Sequence, residues 1–193
     1  MARTQAPDYD KKREVITSHA AHLFADCGFA GASISKLSAM CGISKSLIYH
    51  YYNSKEAILF DVMRDHVDEL VQIVSVETDP SMSAEQTFRS LTRALVRCYV
   101  GAQDKQKVLL YEMGHLSDTQ KSDIIGKQRV LVSKFEQVIG AALLQHGGDA
   151  AKIRAKVMLF FGMINWTHTW YKPSGSLSRD DIADMAVDTI LGF

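Results

Sequence analysis

Cysteine is scarce in this chain: Cys27, Cys41 and Cys98 are odd in number and far apart. That spacing excludes a disulfide framework and suits small apolar side chains in a reducing compartment. Proline is equally sparse, three residues in 193, so long stretches run without a helix breaker. No apolar run approaches the roughly 18 residues that cross a bilayer. The opening MARTQAPDYDKKRE is polar and charged, unlike a secretory signal. The expected location is therefore the cytoplasm, with no membrane partner. No GxSxG, glycine-rich phosphate loop, CxxC or HExxH occurs, so an enzyme is not expected. His19 and His22 share a helix face without a third ligand at metal spacing, and Glu112 and His115 suit a local hydrogen bond. Neither a metal nor a cofactor is expected.

What is present is helical periodicity. The apolar fraction of 47% supports a proper core, and the charged fraction of 23% is ordinary for a soluble chain. Residues 1–9 read as an arm, with Pro7 excluding an early helix. Val15, Ile16, Ala20, Leu23, Phe24 and Cys27 then follow an amphipathic helix closed by Gly28. A long helix from Ser54 to about Val74 carries Ile58, Leu59, Val62, Met63, Val67 and Leu70 at helical intervals. The loop from Glu77 to Met82, with Pro80, follows it. Beyond lie capping boxes at Ser83-x-x-Gln86 and Ser117-x-x-Gln120 and a cap at Ser178-x-x-Asp181. A short helix runs from Lys105 to about His115, and Ile153 to Tyr171 reads as one apolar helix. With no alternating strand pattern and no repeat, the expected fold is all-α, about nine helices.

The stretch from Ser33 to Glu56 carries the strongest functional signal. Ile34 and Leu37 keep helical spacing until Cys41-Gly42, where glycine can enter the left-handed region. Ser44 can cap the next helix, Lys45 to Tyr51. Two helices around a tight glycine turn form a helix-turn-helix, which places its second helix in a DNA major groove. Residues 1–55 hold seven Lys/Arg against four Asp/Glu, a net of +3, and since the whole chain is neutral the remainder carries −3. A weakly basic head on a weakly acidic body suits a small DNA reader joined to something else. The expected domains are 1–54, the DNA-binding head, and 55–193, a helical bundle for ligand binding and dimerisation.

The motif residues resemble those of TetR-family transcriptional regulators. They are Ala20-Ala21-x-Leu23-Phe24 with Gly28-Phe29, then Ser33-Ile34-Ser35-x-Leu37, then Cys41-Gly42-Ile43-Ser44-Lys45-Ser46-x-Ile48-Tyr49-x-Tyr51-Tyr52-x-Ser54-Lys55-Glu56. Cys41 and Tyr52 depart mildly from the family pattern while keeping its size classes. The resemblance implies a homodimer on a palindromic operator, usually a repressor released by a small molecule. Ser44 and Lys45 at the start of the recognition helix can meet phosphate, as can the hydroxyls of Ser33 and Ser35. Tyr49, His50 and Lys55 resemble family positions that touch operator backbone or bases, and Ser46 and Leu47 complete the expected interface. Packing is the competing role for Leu47, Ile48 and Tyr51, and less so for Tyr49, and capping for Ser33.

Two features of the body point to a ligand. Arg89, Arg93 and Arg97 recur every four residues and form a stripe, extended by Lys105 and Lys107. The stripe is either a solvated face or a landing strip for the phosphates of an anionic effector such as a coenzyme A thioester. Met163 to Tyr171, closed by Lys172-Pro173-Ser174-Gly175, resembles the carboxy-terminal signature of TetR regulators that respond to acyl-CoA or aryl-CoA thioesters. The residues from Met1 to Asp10 resemble the phenylacetyl-CoA-responsive members. Trp166 and Trp170, one helical turn apart, suit either an apolar pocket or dimer packing. The expected pocket is walled by Phe88, Leu91, Leu95, Tyr99 and Met113 on one side. Phe135, Met163, Trp166 and Thr167 complete it, with Trp170 adjoining. Two rivals remain open: a TetR-type repressor of an efflux pump sensing a hydrophobic drug, and a helical ligand-binding or enzymatic protein with a vestigial head.

Overall fold

A computed structural model describes residues 7–77, 79–145 and 147–192. Residues 1–6 of the expected arm lie outside them. The described residues form ten α-helices and two single 3₁₀ turns, with no strand among them. No helix of the described residues is long and apolar enough to cross a membrane. The all-α expectation therefore holds. The chain divides into two compact units, one running to His66 and joined by Asp104–Ile124, the other comprising Val67–Gln103 and Ile125 onward.

The first unit contains α1 (Pro7–Gly31), α2 (Ile34–Cys41), α3 (Lys45–Tyr51), the start of α4 (Lys55–Ser75) and α6 (Gln103–Tyr111). α1 begins at Pro7, where the expected arm would have continued. Proline is well placed at a first helical position because its missing N–H has no intrahelical partner there. Gly28, at φ 70° and ψ 163°, breaks the helical path of α1, a conformation that L side chains rarely adopt. Ile16, Phe24, Leu37, Ile48 and Ile58 are buried and form the core of this head.

α2 and α3 match the sequence reading residue for residue. Ser33 caps α2, its hydroxyl accepting from the Lys36 amide at 3.2 Å. Gly42 ends it in the left-handed region at φ 64°, where the Gly42 and Ile43 amides donate back to Ala39 and Ser38. That pair of bonds is a Schellman motif. Ser44 caps α3 by accepting from Leu47 at 3.2 Å, worth about 1 kcal/mol relative to alanine.

The second unit is built from the rest of α4, α5 (Ala84–Gly101), most of α7 (Asp118–Gln145), α8 (Ile153–Asn165), α9 (Thr167–Trp170) and α10 (Arg179–Leu191). Capping boxes open α5 at Ser83 and Gln86 and α10 at Ser178 and Asp181. α10 lies along α5 and against α8. Phe88, Phe135, Phe160 and Phe161 bring their rings together inside, with centroid separations of 5.1–6.3 Å between touching pairs. Burying each of these rings contributes about 1.5–3 kcal/mol.

The expected single helix from Ile153 to Tyr171 is two, broken at Trp166. Thr167 Oγ1 donates to the Ile164 carbonyl, Thr169 Oγ1 donates to that of Trp166, and the His168 ring Nδ1 lies against that of Asn165. Side chains that take carbonyls three residues back compete with the backbone ladder.

Candidate nucleic-acid interface and effector region

Six of the nine residues expected on DNA, Ser33, Ser35, Ser44, Lys45, Ser46 and His50, are exposed. Tyr49 joins them with half its surface open, 52%, so its ring is no core residue. Leu47 is half-buried and Ile48 fully buried, which fixes the inward edge of α3. Tyr51 packs at a tilt against Tyr9 of α1 at 4.7 Å and meets the edge of His50 at 5.4 Å. The serines serve two purposes, because Ser33 and Ser44 are caps whose hydroxyl hydrogens remain available to a phosphate.

Lys55 is placed otherwise. Its ammonium donates to the carbonyls of Phe29 and Ala32 at 2.6 and 2.9 Å and sits 4.0 Å from the centre of the Phe29 ring. These contacts tie α4 to the α1–α2 junction.

Behind α3 lies a charged cluster with no counterpart in the sequence reading. The buried Asp61 carboxylate accepts from the Tyr52 hydroxyl at 2.8 Å, from Arg64 at 2.5 Å and from Arg13. Arg13 Nε also donates to the Tyr52 oxygen at 3.3 Å. Burial pushes the Tyr52 hydroxyl well above the ordinary phenol range; Arg13 opposes this and Asp61 reinforces it. The Tyr52 hydrogen bond and the Asp61 carboxylate raise Arg13 further despite its partial burial. The cluster clamps the first turns of α1 to the end of α3 and to α4.

In the second unit the arginine stripe meets a matching aspartate stripe. Arg89 pairs with Asp188 at 2.7 Å, Arg93 with Asp184 at 2.9 and 2.6 Å, and Arg97 with Asp180 through two bonds, the Nε one 2.8 Å. Arg89 also reaches Glu85 and Asp184. The side chains are therefore neither a merely solvated face nor bare guanidiniums. A groove of about 640 Å³ nevertheless runs beside them, lined by Arg89, Arg93 and Arg97 with Ser81, Gln86 and Ser90. Lys107 belongs to the first unit, where its ammonium donates to the Ala25 carbonyl at 2.6 Å.

The expected apolar pocket separates into an inside and an outside. Phe88, Leu91, Leu95, Tyr99 and Phe135 are buried in the core of the second unit, whereas Met113 falls in the first. Trp166 and Trp170 are exposed by 59% and 50%, despite the helix break between them, and line one recess of about 590 Å³. Met163 and the buried Thr167 belong to that recess, as do Met158, Leu159 and Met185 from α8 and α10. It is a broad apolar face with hardly a polar group.

Comparison with known proteins decides the family. Residues 81–193 match a tetracyclin repressor-like C-terminal domain, and residues 16–62 match the bacterial regulatory proteins of the tetR family. The chain belongs to the TetR family. A TetR-family transcriptional regulator from Bordetella parapertussis 12822 is 33% identical and superposes with a TM-score of 0.82 over 93% of each chain. The transcriptional repressor KstR2 of Mycolicibacterium smegmatis is 25% identical, over 94% of this chain and 89% of its own. AibR, solved with isovaleryl coenzyme A and operator DNA, shares the fold at a TM-score of 0.78 and 24% identity, over 92% of this chain and 97% of its own.

As a TetR-family member the chain is a DNA-binding regulator of transcription, not an enzyme. Sequence reading missed three parts of this regulator. Asp180, Asp184 and Asp188 repeat every four residues just as the arginines do, and that period was the available signal. Asp61 interrupts the apolar run of α4, which marks a buried charge in need of partners. Met158, Leu159 and Met185 extend the tryptophan face from helices whose mutual packing has no local signature.

Proposed function

We propose that this TetR-family regulator is a homodimeric repressor, released from a palindromic operator by an acyl-CoA or aryl-CoA thioester such as phenylacetyl-CoA. Residues 1–54 read the DNA, and residues 55–193 bind the effector and dimerise. The observation that carries the effector is the groove along α5, where three guanidiniums share about 640 Å³ with two serines and a glutamine. Guanidinium matches phosphate oxygens bidentately. The aspartates that hold these arginines are partly exposed, where solvent screens an ion pair, so a phosphate-rich ligand can compete for them. The relatives support the same reading: AibR was solved with a CoA thioester and operator DNA, and KstR2 is a repressor.

The dimer rests on the tryptophan face. Leu159 is 65% exposed beside Met158, Trp166, Trp170 and Met185, and contiguous apolar surface of this kind marks an interface. The face belongs to α8, α9 and α10, so a twofold pairing of it would build an interface of packed helices. Two recognition helices would then enter successive major grooves about 34–36 Å apart. A thioester that binds the DNA-incompetent state more tightly depletes the operator-bound population. The test is a mobility shift on the DNA upstream of the gene, titrated with CoA thioesters and the corresponding free acids. Release by a thioester and not by its acid is expected, weakened at least tenfold in Arg93→Ala/Arg97→Ala. Release by uncharged drugs alone would favour efflux control instead.

A further inference from the structure

We infer that Lys55 is a positioning residue for operator recognition, acting through the junction that launches α2 and not through DNA phosphate. The junction is short. Phe29 and Gly31 close α1, Ala32 links, and Ser33 caps α2. Three of its carbonyl oxygens accept from ammonium groups: Phe29 and Ala32 from Lys55 at 2.6 and 2.9 Å, and Gly31 from Lys36 at 3.3 Å. The carbonyl end of a helix carries partial negative charge, so cations belong there. A turn bond from the Ala32 amide to the Phe29 carbonyl at 3.2 Å closes the same segment.

The Lys55 ammonium is held from a third side. It lies 4.0 Å from the centre of the Phe29 ring, a cation–π contact. That ring is buried and also packs at a tilt against His115 at 4.6 Å, while His115 faces Glu112 at 3.4 Å. Two of its three N–H groups are committed to carbonyls, so turning toward a phosphate would weaken charge-assisted hydrogen bonds that hold the junction. Staying in place, it fixes the Ala32 carbonyl, and with it the direction in which Ser33 and the exposed Ser35 are presented. DNA affinity then depends on Lys55 without Lys55 touching DNA.

Salt dependence separates the two roles. Removing a cation that neutralises one phosphate lowers the slope of log affinity against log salt by about 0.9, whereas removing a positioning residue lowers affinity and leaves the slope alone. The probe is an operator duplex selected by the wild-type protein from randomised DNA, measured by anisotropy across a salt series. Lys55→Met keeps the stem against Phe29 and removes the donors. It should bind at least tenfold more weakly at every salt concentration, with the wild-type slope. Lys55→Gln carries no charge but can still donate to one carbonyl, and should regain at least threefold. The inference is overturned if Lys55→Met binds like wild type, or if both variants lose about 0.9 in slope with no recovery by glutamine. Should Lys55→Met fail to fold, the slope of Lys55→Gln alone decides.

Discussion

Replacing Asp61 tests whether the cluster behind α3 holds the head together. The carboxylate is 6% exposed and accepts from the Tyr52 hydroxyl, Arg13 and Arg64. In Asp61→Ala the buried tyrosine hydroxyl loses its acceptor, a cost of about 1–3 kcal/mol. Removing one partner of a fully buried ion pair costs about 3–5 kcal/mol. Here both guanidiniums are 33% exposed and can turn to water, so about 2–4 kcal/mol in total is the reasoned value. For a chain of this size that lowers the melting temperature by roughly 4–16 °C. Tyr52→Phe removes only the hydroxyl and should cost about 1 kcal/mol. Because the two groups share one hydrogen bond, the double variant should be less destabilised than the sum of the singles, by about 0.5 kcal/mol or more. Urea and thermal melts of the four proteins supply the cycle. A stability of Asp61→Ala within about 0.5 kcal/mol of wild type, the range of ordinary surface changes, would refute the reasoning.

Three further outcomes are expected. Leu159→Arg puts a charge in the middle of the exposed apolar face; sedimentation should show monomers where wild type is dimeric, and a dimeric variant would remove that face as the interface. Hydrogen bonds from Arg97 and Arg93 hold the Asp180 and Asp184 carboxyls below the usual carboxylate range. Folded values below unfolded ones mean that their stabilisation is complete above the unfolded value, near pH ~4, and is lost as pH falls through the folded values. Asp184→Asn should therefore flatten the acid limb of a melting-temperature profile below pH ~4, and an unchanged limb would contradict the ladder. Phe135→Ala, at the centre of the ring cluster, should cost about 3–5 kcal/mol in urea unfolding; a cost under about 1 kcal/mol would show that the rings are not close-packed there.

The helix-turn-helix was legible because its determinants are local. Ser33, Gly42 and Ser44 act on amides and carbonyls within five residues, so caps and turn could be read to the residue. The same holds for the capping boxes of α5 and α10. Long-range partners were harder. The arginine stripe was visible, but its aspartates lie some ninety residues away, and only their shared period of four hinted at pairing. The ties of Lys55 are not legible in the sequence, because its partners are backbone carbonyls, which no side-chain pattern announces. The break at Trp166 comes from the bonds of Thr167, His168 and Thr169 to the preceding turn, which hydrophobic periodicity ignores. Burial separates the tryptophans from the phenylalanines with which helical spacing groups them.

The most direct measurement is operator affinity of the full chain across a salt series, with and without an acyl- or aryl-CoA thioester. The expected result is tight binding whose logarithm falls steeply and linearly with log salt, a stoichiometry of two chains per palindrome, and release by micromolar thioester but not by the free acid. A flat salt response, or binding that no CoA thioester relieves, would contradict the proposal of a CoA-released operator-binding dimer.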